Sequence, residues 1–206
     1  MPDSPNLCSL EVCTGFQVRD WVFAGIKRGA ERRGPRGFPP PDKPRERIKI
    51  ASDVVEAIKA VTTGCKPWPL VLCGEAGSGK TCAALCMLDH FGGGYTSVGD
   101  LCAQINGFWD QGDSANRARL FWNKIEDCYL MVLDELGQRK TTSDARNEVV
   151  KKFLDVRIDL PNPVRPTVVI SNLTLDEMSC VYPDPIISRL AGGTVVTTSG
   201  DRRVIK

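Results

Sequence analysis

The chain has 206 residues, 42% hydrophobic and 25% charged, with a net charge of +2; this suits one α/β domain with a modest extension and implies neither disorder nor a fibrous fold. No apolar stretch approaches the ~20 residues needed to cross a bilayer, and Asp3, Glu11, Arg19 and Asp20 interrupt any signal-peptide core, so a cytoplasmic protein with no membrane partner is expected. The nine cysteines are accordingly read as reduced thiols rather than as a disulfide framework.

Residues 1–26 place Trp21, Phe23 and Ile26 among polar neighbours, too little for an independent core, and are read as an amino-terminal arm. Cys8 and Cys13 in this arm lack the second Cys or His pair that a tetrahedral zinc site needs. Residues 27–49 form a basic linker rich in Pro and Gly, with nine basic side chains against Glu31, Asp42 and Glu46, while the remainder of the chain carries −4. Such a run either meets nucleic-acid phosphates or serves as a solvated tether.

The folded domain is expected over 50–206. Val54, Val55, Ile58 and Val61 recur at helical spacing within 51–61. Beyond them the pattern alternates: strand 70–73, helix 80–90, strand 95–98, helices 100–106 and 115–126, strand 129–133, helix 144–158, strand 167–171 and a last strand near 194–198. Alternation of this kind builds a mostly parallel sheet with helices on both faces. The runs 129–133 and 167–170 are apolar without alternation, as strands covered on both sides should be. Cys73, Cys82, Cys86, Cys102, Cys128 and Cys180 lie in or beside apolar segments, where a thiol behaves as a small hydrophobe. His90, the sole histidine, ends the helix 80–90 and takes a helix-end or packing role.

Ligands of such sheets bind at the carboxyl ends of the strands, and that is where the chemistry-bearing residues fall. Gly74-Glu75-Ala76-Gly77-Ser78-Gly79-Lys80-Thr81 follows a strand and opens a helix, the context of a phosphate-binding P-loop. Small residues let backbone N–H groups turn around phosphate oxygens, and the helix adds the positive end of its dipole. Lys80 would reach the β- and γ-phosphates and Thr81 would ligate Mg²⁺, with Cys82 completing the nucleotide-binding stretch. Asp134-Glu135 ends the strand 129–133 and brings two carboxylates to the same edge. Asp134 would hold Mg²⁺ through water, and Glu135 would polarise the attacking water as general base. After the next strand Asn172 either orients that water and senses the γ-phosphate or makes a local turn. Arg189, in the apolar helical turn 185–190, is either a surface charge or an arginine finger.

Taken in order, the segments 74–81, 132–137, Arg157, 166–173, 188–190 and 200–203 resemble the AAA+ ATPases of the DnaC/DnaI helicase-loader family and their IstB relatives, over roughly residues 50–203. The resemblance implies a P-loop NTPase of AAA+ type using ATP and Mg²⁺, with Asn172 as sensor 1 and Arg189 as a finger completing the site of a neighbouring subunit. It implies a homo-oligomer joined through its ATP sites, with a replicative helicase and single-stranded DNA as partners, and it suggests a role for Arg157 or Arg202. Only 17 residues follow Arg189, so no carboxyl-terminal helical lid is expected, as in the loader-type members. Residues 1–49 show no clear similarity to the helicase-binding domain of those loaders. The expected function is that of an ATP-dependent helicase loader in DNA replication. An IstB-like transposition helper shares the same core; a P-loop small-molecule kinase would leave Asn172 and Arg189 without a role, and a structural scaffold would bind nucleotide without cleaving it.

Overall fold

Short apolar strands alternating with helices settle into one five-stranded sheet. In the computed structural model the described residues are 50–109, 113–138, 143–158 and 165–200; the arm 1–26, the linker 27–49 and Arg202 lie outside them. In chain order the elements are α1 (Ser52–Thr62), β1 (Leu70–Gly74), α2 (Lys80–Phe91), β2 (Gly94–Ser97), α3 (Val98–Trp109), α4 (Asp113–Asp127), β3 (Met131–Leu136), α5 (Asp144–Ile158), β4 (Thr167–Ser171), α6 (Leu175–Ser179), α7 (Asp184–Ala191) and β5 (Thr194–Thr198). The strand order is β2-β3-β4-β1-β5, and every pair is parallel. Leu70 aligns with both Val168 and Thr194, and Met131 with both Thr167 and Gly94. The strands therefore start level and their carboxyl ends collect along one edge.

The pleat divides the apolar side chains between two cores. Leu70, Leu72, Val132, Val168 and Ile170 meet α1 and α2 through Val54, Ile58, Val61, Ala84 and Met87. Val71, Cys73, Leu133 and Val169 point the other way, against Val98 and Leu101 of α3, Ile125 of α4, Val150 and Phe153 of α5 and Leu190 of α7. β1 and β4 are buried along their whole length, and each such Leu, Ile or Val contributes about 1.5–3 kcal/mol by leaving water. Among the described residues no helix is long and apolar enough to cross a membrane.

Four expectations change. The strand expected over 129–133 runs from Met131 to Leu136, because the Cys128 and Tyr129 carbonyls bond to a side chain instead of to the ladder. Val98 starts α3 rather than ending β2, and that helix reaches Trp109; Ser97 Oγ accepts from the Asp100 N–H at 3.1 Å and donates to its carboxylate at 2.9 Å, a local cap that turns the chain into the helix. The short α6 was not anticipated, although Thr174 and Glu177 form a capping box at its start. Cys180 is exposed, in the turn after α6, instead of packed. Of the other described cysteines Cys73, Cys82 and Cys86 are buried, Cys102 and Cys128 half-buried and Cys65 exposed, all free thiols.

Candidate functional site

β1 delivers its last residue, Gly74, to the carboxyl edge, and the chain turns through Gly74, Gly77 and Gly79 with φ of 109°, 83° and 92°, conformations that side-chain-bearing residues rarely adopt. Gly79 is the N-cap of α2 and provides no side-chain acceptor for the first N–H groups of the helix, which leaves those donors for an anion. Lys80 is 5% exposed. Its Nζ donates to the Gly74 carbonyl at 2.8 Å, the Glu75 carbonyl at 2.6 Å and Ser78 Oγ at 3.2 Å. Burial lowers its pKa below the usual lysine range, opposed chiefly by the negative charge of Asp134. The ammonium thus folds over its own loop on neutral acceptors that phosphate oxygens can replace.

The P-loop and β3 meet at Asp134. Thr81 Oγ1 donates to Asp134 Oδ2 at 3.0 Å, Tyr95 Oη donates to the same oxygen at 2.7 Å, and the Glu135 N–H donates to Oδ1 at 2.6 Å. A hydroxyl and a carboxylate side by side form a hard-oxygen pair that suits Mg²⁺. With both carboxylate oxygens already accepting hydrogen bonds, Asp134 fits contact with the ion through water. Tyr95 was missed: in an edge strand it reads as a packing aromatic, and nothing local marks its hydroxyl. Burial and the Asp134 charge push its phenol pKa up, so it stays a donor.

Glu135 is exposed beside this pair, with a φ of 64°, and its carboxylate is available as a general base. Asn172, also exposed, follows the last residue of β4. β4 lies between β3 and β1, so Asn172 emerges between the Asp134 strand and the P-loop strand. Cys82 is buried, and burial pushes its thiol up to about 12, so it stays neutral.

β5 closes the other side of the loop, a feature sequence reading did not find. Thr198 Oγ1 lies 2.6 Å from Ser78 Oγ and donates to the Cys73 carbonyl at 3.0 Å, and the Glu75 N–H donates to the Thr198 carbonyl at 3.2 Å. The Gly200 N–H reaches back to Glu75 Oε2 at 2.7 Å. Ser78 and Thr198 are both nearly fully buried, so this end of the P-loop is tied to the sheet.

Two arginines lie away from this edge. Arg189 is on α7, which runs back from the carboxyl edge toward the start of β5. Its guanidinium pairs with Asp155 at 2.8 Å and donates to the Pro185 carbonyl at 2.6 Å. Arg157 is 1% exposed near the starts of β3 and β4. It donates to the carbonyls of Ile125, Cys128, Tyr129 and Pro166 and to Thr167 Oγ1, over 2.6–3.2 Å. Burial and the charge of Arg165 push its pKa down to about 10, which leaves it cationic near neutrality. A cavity of about 270 Å³ lined by Thr62, Trp68, Phe91, Tyr129 and Pro166 opens at this same amino edge; its aromatic lining offers no cradle for a triphosphate.

No protein-family model matches the chain, and no curated protein matches it in sequence. Solved structures do. AMPPCP-bound DnaA from Aquifex aeolicus is 17% identical with a TM-score of 0.57, covering 72% of this chain and 47% of its own. A replication initiator DnaA bound to AMPPCP and single-stranded DNA is 19% identical with a TM-score of 0.57, covering 71% and 46%. DnaI is 20% identical with a TM-score of 0.56, covering 71% of this chain and 83% of its own. The chain shares the fold of these structures, a parallel sheet flanked by helices. This chain spans under half the length of the DnaA structures that it resembles.

Proposed function

We propose that the chain is an ATPase of DNA replication that binds ATP with Mg²⁺ at its P-loop and hydrolyses it at subunit interfaces to load or remodel a helicase on single-stranded DNA. One observation carries this reading: the Thr81 hydroxyl and the Asp134 carboxylate are in contact beside buried Lys80, with exposed Glu135 next in sequence. The likeness to DnaA structures holding AMPPCP, one of them with single-stranded DNA, and to DnaI supports the nucleotide and the replication setting. Lys80 and the free N–H groups of α2 would take the phosphates, and Thr81 and Asp134 the metal, which supplies charge neutralisation during phosphoryl transfer. Glu135 would accept a proton from the attacking water, and Asn172 would orient that water. Arg189, on a helix heading away from its own P-loop, would serve the site of an adjacent copy, exchanging Asp155 for the phosphoryl group.

A mixing experiment tests the shared site. Lys80→Ala should weaken nucleotide binding about a hundredfold and abolish turnover, and Arg189→Ala should keep binding and lose DNA-stimulated hydrolysis. Mixing the two inactive variants should restore turnover, because one seam in a mixed assembly then has both side chains. Unchanged turnover in Arg189→Ala, with no gain on mixing, would refute hydrolysis at a seam.

A further inference from the structure

The bulge that carries Glu135 is held from behind by two side chains that the nucleotide site itself does not use. Leu133 pairs with Val169 and Leu136 with Ser171, so β3 spends three steps where β4 spends two, and one extra residue is accommodated. Glu135 absorbs it with a φ of 64°, the one positive φ on a residue other than glycine among the described residues. A left-handed residue with a side chain costs about 1 kcal/mol or more and persists only where its surroundings over-determine it.

Those surroundings are visible. Ser171 Oγ donates to the Leu136 carbonyl at 2.7 Å and accepts from the Leu173 N–H at 3.0 Å. The Gly137 N–H donates to Tyr182 Oη at 3.0 Å. Gly137 itself has a φ of 77°, and a Cβ there would run into the Leu173 side chain, so the turn is closed on that side as well. Tyr182 is 3% exposed, in the turn between α6 and α7, and the charge of Arg146 on α5 acts on its hydroxyl. The end of β4, the α6–α7 turn and α5 thus converge on the two residues that follow Glu135. Lys80 is held by the Gly74 and Glu75 carbonyls and Ser78, and Asp134 by Thr81, Tyr95 and the Glu135 N–H; neither Tyr182 nor Ser171 is among these partners.

We propose that Tyr182 and Ser171 are positioning residues for Glu135, fixing the bulge so that its carboxylate is set for water activation without contributing to nucleotide binding. The proposal rests on the ATPase reading above. A general base displaced by about 1 Å loses on the order of a hundredfold in rate, so loosening one of two restraints is expected to lower kcat by about tenfold.

The test uses the full chain with ATP, Mg²⁺ and single-stranded DNA, comparing Tyr182→Phe and Ser171→Ala with the unaltered protein. Each variant should lose about tenfold in kcat, while KM and the affinity for a non-hydrolysable ATP analogue stay within about twofold. Added to Glu135→Gln, Tyr182→Phe should cause no further loss in single-turnover rate, because it acts through a group already removed. A normal kcat in folded Ser171→Ala overturns the proposal even if Tyr182→Phe fails to fold. So does a parallel fall of kcat and analogue affinity, or an additive loss in the double variant. Absence of hydrolysis by the unaltered protein would instead refute the ATPase reading on which the proposal stands.

Discussion

Lys80 and Arg157 are both buried cations at the ends of one sheet, and both use every donor they have, but over a different reach of chain. Arg157 uses all five of its N–H donors on five acceptors drawn from the end of α4, the turn into β3 and the start of β4. It has no donor left for a ligand, and it welds three segments together. Lys80 bonds only to atoms of its own glycine loop, at the mouth of a helix whose first N–H groups have no side-chain cap. A buried charge that ties three segments together is structural, whereas one bonded only within a single glycine loop, beside uncapped helix N–H groups, is poised for an anion.

Breaking the amino-edge cation should have the largest effect. Arg157→Met leaves four buried carbonyls without their donor and is expected to cost about 4 kcal/mol in chemical denaturation, with nucleotide affinity of the folded fraction unchanged. Lost affinity at an unaltered midpoint would reverse the comparison. Lys80→Ala should do the opposite: triphosphate affinity falls about a hundredfold, on the scale of ~3 kcal/mol for a charge-assisted contact, and the midpoint moves little. Because burial lowers the Lys80 pKa, wild-type affinity should decline with rising pH before the ordinary lysine value of 10.5 is reached; that fall should be missing from Lys80→Ala.

Smaller changes sharpen the carboxyl edge. Thr81→Ala removes one oxygen of the Thr81–Asp134 pair and should weaken Mg²⁺-dependent nucleotide binding by about tenfold, while binding in EDTA stays the same; equal loss under both conditions would assign Thr81 to the phosphates alone. Thr198→Val deletes the hydroxyl shared by Ser78 and Cys73 and should cost about 1 kcal/mol of stability with a few-fold loss in nucleotide affinity. An effect on stability without one on affinity would mean that β5 steadies the sheet and not the loop.

Much of this contrast is legible in the sequence. The glycines at 74, 77 and 79 need a loop, the run before them needs a buried strand, and Lys80-Thr81 has the spacing that phosphate binding requires. The bounds of α5, β4 and β5 agree with the pattern of apolar residues. Asp134 and Thr81 were matched by motif and are found in contact. Tyr95, Tyr182 and Thr198 were not legible: their polar partners lie 39, 45 and 120 residues away, and a lone hydroxyl in an apolar context resembles any packing residue. Arg157 was singled out by resemblance, but its position at the amino edge could not be read from a helical arginine.

From the chain alone follow the strands, the helices and the edge at which the P-loop must open, because periodicity and glycine spacing are local properties with a local physical cause. Which hydroxyl meets Asp134, what restrains the bulge at Glu135 and which arginine is walled in by carbonyls were decided by the crossovers. These bring distant segments within hydrogen-bond reach, and the pairing energy depends on distances of about 3 Å that no sequence interval encodes.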